Sequence, residues 1–176
     1  MTAQMTNTTA VGPDIPGLVA ALRATFATGR TRPVEWRRAQ LRALEKLMTE
    51  NETRIAEALN TDLGRKPFEA WLADIATTAA EARDAAKNVG KWSKRRYRLL
   101  EKSQLPGRGW VEYEPCGVVL IIGAWNSPFA LTLGPLVGAL AAGNAVVLKP
   151  SELAPASSAL MAELIPKYLD RSAVVV

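Results

Sequence analysis

Apolar positions between Gly17 and Arg98 recur at helical spacing. Leu18, Leu22 and Phe26 fall every fourth residue before Gly29 supplies a stop. Pro33 then sits where a first-turn proline is tolerated. Behind it Trp36, Leu41, Leu44 and Met48 form one apolar stripe flanked by Arg and Glu. Thr49 and Glu52 stand at capping-box spacing ahead of a short segment carrying Ile55 and Leu59, which Gly64 ends. A third helix is predicted from near Pro67. Its inward face would be Phe68, Leu72, Ile75, Ala79, Ala82, Ala86 and Val89, with alanines allowing a close approach to its neighbour. Trp36, Trp71 and Trp92 are expected as core or interface aromatics.

The period changes after Arg98. Leu105-Pro106-Gly107 marks a turn, and Trp110 to Glu114 alternates as an exposed antiparallel strand would, a candidate subunit contact. From Pro115 to Leu148 no residue is charged, although 22% of the chain is. Within that run Gly117 to Ile122 is continuously apolar, as expected of a strand covered on both faces. A polar turn at Asn126-Ser127 leads to a small-residue helix that stops at Gly143-Asn144. Pro135 places the start of that helix near Thr132 or kinks its first turn. Ala145 to Leu148 is a second buried strand, followed by a Lys149-Pro150-Ser151-Glu152 corner. Pro155 opens a further helix with Leu160, Met161 and Leu164 inward, and Ala173 to Val176 begins a third strand. Strand, helix, strand with polar groups at the strand ends is a βαβ unit, and open parallel sheets bind ligands at those ends. The turns also break the uncharged run into pieces too short for a transmembrane span, which needs about twenty continuous apolar residues.

Composition narrows the chemistry. A chain of 176 residues with 48% apolar content suits one domain, or one and part of another. With no histidine and one cysteine, a His/Cys metal site and an internal disulfide are excluded, and a reducing, cytoplasmic setting is expected. The net charge of +5 is concentrated in Lys91-Trp92-Ser93-Lys94-Arg95-Arg96-Tyr97-Arg98. That cluster reads either as a nucleic-acid patch with stacking aromatics or as a solvated helix end whose cations complement the macrodipole. One cluster without a binding module favours the second. The first sixteen residues lack the basic and apolar regions of a signal peptide and read as a loose tail.

Two long motifs, EPCGVVLIIGAWNSPF and GALAAGNAVVLKPSE, closely resemble the N-terminal cofactor-binding region of aldehyde dehydrogenases. The class-3-like branch (fatty, aromatic and coniferyl-type enzymes) is the best match, and WRRAQLRALEKLM and ALNTDLGRKPFEA fit it too. The resemblance implies an α/β fold: an N-terminal helical layer, then the first βαβαβ part of a Rossmann-like parallel sheet. It implies boundaries at 1–16 for the tail, 17–98 for the helical segment, 99–116 for extended strands with an oligomerisation role, and 117–176 for an incomplete NAD(P)-binding unit. By the same resemblance the backbone of Ile122, Gly123, Ala124 and Trp125 runs beside the nicotinamide ribose. Asn126 then donates its side-chain amide to the oxyanion formed when a cysteine thiolate attacks the aldehyde; without the family it would read as a helix cap, a role Ser127 could also fill. Lys149 and Glu152, with Pro150 and Ser151 between them, contact the adenosine ribose hydroxyls, and the carboxylate disfavours a 2′-phosphate. Either NAD or NADP remains open, because that branch tolerates both.

The usual G-x-G-x-x-G is absent, as it is throughout the family. Ser127 departs from the aromatic residue that the branch carries there, which leaves substrate preference open. Cys116 reads as a small buried side chain and not as the nucleophile. The catalytic cysteine and the water-activating glutamate are expected beyond residue 176. The chain is therefore expected to be a fragment, inactive by itself, of an NAD(P)-dependent enzyme that oxidises an aldehyde to a carboxylate and forms a homodimer at full length. The competing expectations are a non-catalytic truncated product or a helical partner-binding module.

Overall fold

A computed structural model describes residues 14–176. Helix α1 spans Ile15–Ala27, so the tail expected over residues 1–16 lies outside the described residues except at its end, where Asp14 caps α1 through the Gly17 amide. Helices α2 (Val34–Glu50) and α3 (Glu52–Leu63) follow, and Gly64 closes α3 with a φ of 66°, a left-handed conformation that glycine adopts without a Cβ penalty. The expected Thr49/Glu52 capping box does not form. The Thr49 hydroxyl donates back to Glu45 and Lys46 carbonyls inside α2, and Asn51 occupies the cap position with its amide bonded to Leu47 and Tyr168.

Helix α4 (Pro67–Ala70) runs directly into a π-helical stretch, Trp71–Ala76, and then into α5 (Thr77–Trp92). The Thr77 hydroxyl donates to the Leu72 carbonyl, five residues back. Each wide turn consumes more residues than an α turn, so the inward face is rephased. Ala70, Asp74 and Ile75 are buried, whereas Phe68 and Leu72, expected inside, are 69% and 55% exposed. The second half of the expected face (Ala79, Ala82, Ala86, Val89) is buried as its spacing implies. Trp36 is half-buried; Trp71 and Trp92 are exposed, and Trp71 stacks on Phe68.

The helical segment ends at Trp92, not at Arg98. Arg96–Arg98 is strand β1, paired antiparallel with β2 (Gly109–Val111). Only Lys91 of the basic cluster therefore lies at a helix end. Arg95 pairs with Glu112 at 2.7 Å and lies over the Trp110 ring, and Arg96 lies over the Tyr113 ring.

The second sheet is parallel, in the order β3 (Val118–Ile122), β4 (Ala145–Lys149), β5 (Val174–Val175). Helix α6 (Pro128–Ala142) links β3 to β4, and α7 (Pro155–Tyr168) links β4 to β5. Helix α6 begins at Pro128, so Pro135 lies in mid-helix and the expected start near Thr132 is superseded. One contiguous core joins the helical layer to the sheet. Leu41, Leu44, Met48 and Leu59 share it with Phe129, Leu133, Leu136 and Leu140. Burying each such side chain contributes roughly 1.5–3 kcal/mol. Strand β3 is covered on one face only: Ile121 is buried, while Leu120 and Ile122 are 60% and 66% exposed. The continuous apolar run thus does not mean two covered faces among the described residues. No helix of the described residues is long and apolar enough to cross a membrane.

Candidate active site

The parallel register fixes which residues meet at the carboxyl edge of the sheet. Ile122, the last residue of β3, is paired with Lys149, the last of β4. The ladder extends one step further, with the Gly123 amide donating to the Lys149 carbonyl at 2.9 Å. The corner Gly123-Ala124-Trp125-Asn126 and the corner Lys149-Pro150-Ser151-Glu152 are therefore neighbours on one edge.

Gly123 is buried, and a Cβ there would run into the Thr132 hydroxyl on the first turns of α6. Strand and helix can approach this closely only because position 123 has no side chain. Ala124, Trp125 and Asn126 are exposed, as is the side chain of Ile122. Neither Asn126 nor Ser127 caps α6 with its side chain, which overturns both cap expectations. Asp74 performs that task from the π-helical stretch, accepting from the Ala130 amide at 2.9 Å. Its other oxygen receives the guanidinium of Arg65, which in turn donates to the Asn126 carbonyl and, at 3.0 Å, to the Ser127 hydroxyl.

At the second corner the Lys149 ammonium and the Glu152 carboxylate meet at 2.5 Å on exposed side chains. The hydrogen bond from Lys149 holds the Glu152 carboxyl below its ordinary range. Ser151 is buried and its hydroxyl accepts from the Leu153 amide, which shapes the corner. Pro150 is half-buried between them. Helix α7 behind this corner also lacks a side-chain cap of its own; the amides of Ala156 and Ser157 donate to Asp62 at 3.0 and 2.7 Å.

Asp62, Arg65 and Asp74 escaped notice in the sequence. Their signal was weak, although an aspartate among the apolar positions of a helix is one that needs a partner. Cys116 is exposed, contrary to the buried side chain expected, and precedes β3. Five strand residues, roughly 16 Å of extended chain, separate that end of β3 from the Asn126 corner. A hollow of about 380 Å³ lined by Arg37, Trp92, Arg96 and Tyr113 involves neither corner. The two corners lie instead at the carboxyl edge of the parallel sheet.

Among known proteins, the profile of the aldehyde dehydrogenase family matches residues 2–176. Aldehyde dehydrogenase family 3 member I1, chloroplastic, of Arabidopsis thaliana is 43% identical over 93% of this chain and 30% of its own length. The substrate-bound structure of Staphylococcus aureus AldH superposes with a TM-score of 0.91 at 35% identity, over 93% of this chain and 36% of that one. A mutant of aldehyde dehydrogenase C from Pseudomonas syringae, solved with NAD+ and octanal, matches at 30% identity and a TM-score of 0.76, over 93% and 32%. The chain spans about a third of the length of the relatives it matches. On sequence and fold together, it belongs to the aldehyde dehydrogenase family, with relatives in family 3.

Proposed function

We propose that these residues supply the oxyanion donor and part of the cofactor cleft of an NAD(P)-dependent aldehyde dehydrogenase that converts an aldehyde to a carboxylate. The observation that carries the reading is the register of β3 on β4, which sets the Asn126 corner beside the Lys149–Glu152 corner. In this reading Asn126 donates its side-chain amide to the oxygen that becomes negative when a thiolate adds to the aldehyde. The thiolate and the base that later activates water come from the part of the family's length that this chain does not span.

The residues present fit a dinucleotide. An ammonium donor and an ionised carboxylate acceptor, 2.5 Å apart and exposed, suit the two adjacent hydroxyls of a ribose. Lys149 would donate and Glu152 accept, with Pro150 and Ser151 shaping that corner, while Ile122 to Trp125 lie along the other end of the cofactor. The bound nicotinamide would supply the hydride acceptor. A relative solved with NAD+ supports nicotinamide use, and the Glu152 carboxylate favours NAD over NADP by repelling a 2′-phosphate. The exposed β1–β2 ribbon is the proposed homodimer contact, and a single exposed cysteine fits a cytoplasmic setting. Of the basic cluster, Arg95 is already paired with Glu112, which leaves it less able to contact a nucleic-acid phosphate.

The test is Asn126→Ala in an enzyme-length polypeptide that carries these residues. Loss of one oxyanion donor lowers kcat by roughly 100- to 1000-fold, with cofactor affinity little changed. A kcat within twofold of the parent would overturn the assignment.

A further inference from the structure

Asp74 is fully buried, yet it sits on a helix whose spacing points other residues inward. The π-helical stretch Trp71–Ala76 is what brings it there, and such wide turns often mark functional sites. Once inside, the carboxylate uses both oxygens. One accepts from the Ala130 amide in the first turn of α6; the other receives Arg65. A buried carboxylate needs such partners, and they fix its position.

Arg65 carries the connection further. Its side chain is 21% exposed, and its second amino group donates to the Asn126 carbonyl and the Ser127 hydroxyl. These bonds hold the backbone at Asn126, not its side-chain amide, which leaves that amide uncommitted to Arg65. The guanidinium fork suits the task because it can grip a carboxylate and a carbonyl from one plane. Neither Asn126 nor Ser127 makes a side-chain cap of its own that would hold the corner.

We propose that Arg65, clamped by Asp74, is the positioning residue of the Asn126 corner: it fixes the backbone from which the oxyanion-donating amide projects. The catalytic part of this statement rests on the role proposed above for Asn126. The mechanical part does not, and it can be measured on this 176-residue chain without turnover.

The experiment is ¹⁵N relaxation on the labelled chain and its Arg65→Met and Arg65→Lys variants, with thermal melting alongside. Rigid backbone gives an order parameter of about 0.85 and flexible backbone below about 0.6. In Arg65→Met the amides of Trp125, Asn126 and Ser127 are expected to fall below about 0.6, while those of α5 and β4 stay rigid. Arg65→Lys is expected to restore only part of the order, since an ammonium keeps the charge opposite Asp74 but lacks the two-pronged grip on the corner. Unchanged order parameters at 125–127 in Arg65→Met overturn the proposal. So does an equal loss across α5 and β4, which would mark Arg65 as a general stabiliser. Failure of the Asn126 role itself appears elsewhere, as turnover indifferent to Asn126→Ala with this corner still ordered by Arg65.

Discussion

Replacing Asp62 by alanine removes what is, among the described residues, the only side-chain cap of a helix that begins more than ninety residues further along the chain. Helix α7 starts after Ala154 without a side-chain acceptor of its own, and the amides of Ala156 and Ser157 rely on the two oxygens of Asp62. Ser157 is fully buried, so water does not readily replace the lost acceptor. Losing an N-cap costs about 1 kcal/mol, and leaving a buried donor unpaired costs about 1–3 kcal/mol. Removing the negative charge from the positive end of the helix adds a few tenths more, roughly. These figures describe overlapping effects on the same two bonds, so the expected net loss is about 2 kcal/mol by those scales. For a chain of this size that lowers Tm by about 4–8 °C. Urea denaturation followed by circular dichroism measures it, with Asp62→Asn, which keeps one acceptor oxygen, expected to fall between parent and alanine. A loss below about 0.5 kcal/mol would show that α7 does not depend on this long-range cap.

Two other outcomes follow from the same geometry. Burial pushes the Asp170 carboxyl up, but hydrogen bonds from Ser172, Arg30 and Trp36 more than offset it and hold it at about 2, below its ordinary 3.8. A folded-state value below the unfolded one contributes stability that is present above about pH 4 and lost as pH falls toward 2. Asp170→Asn should flatten that part of the pH dependence in urea melts between pH 2 and 5, and an unaltered slope would contradict it. Gly123→Ala forces a methyl against Thr132, which should cost about 1–3 kcal/mol. Adding Thr132→Ala should recover at least half of that loss, and strictly additive effects in the double-mutant cycle would show that the two positions do not clash.

Local order was legible where packing follows the ordinary helical or strand period. Leu41, Leu44 and Met48, the strands at Val118–Ile122 and Ala145–Lys149, and the stop at Gly143 all lie where their spacing places them. Phe68 and Leu72 do not, because the 3.6-residue period that puts them inside fails across a π-helical stretch. Arg96–Arg98 continue a helical-looking run of residues, yet pair with Gly109–Val111 through contacts that no local window contains. The two edge corners were readable because each follows directly on a strand. The groups that brace them were not: Asp74 and Asp62 cap helices 56 and 94 residues away from them in sequence. Cys116 and the outer face of β3 show a further limit, since an apolar run reveals what can be buried but not what covers it.

The two corners act as one site only if a single ligand engages both. Titrating NAD+ at millimolar concentration into the ¹⁵N-labelled chain, with amide shifts followed residue by residue, examines this. Shifts at Gly123–Asn126 and at Lys149–Glu152 that saturate on one common binding curve are the predicted result. Shifts confined to Lys91–Arg98, or two corners that saturate at different concentrations, would contradict a shared cofactor edge.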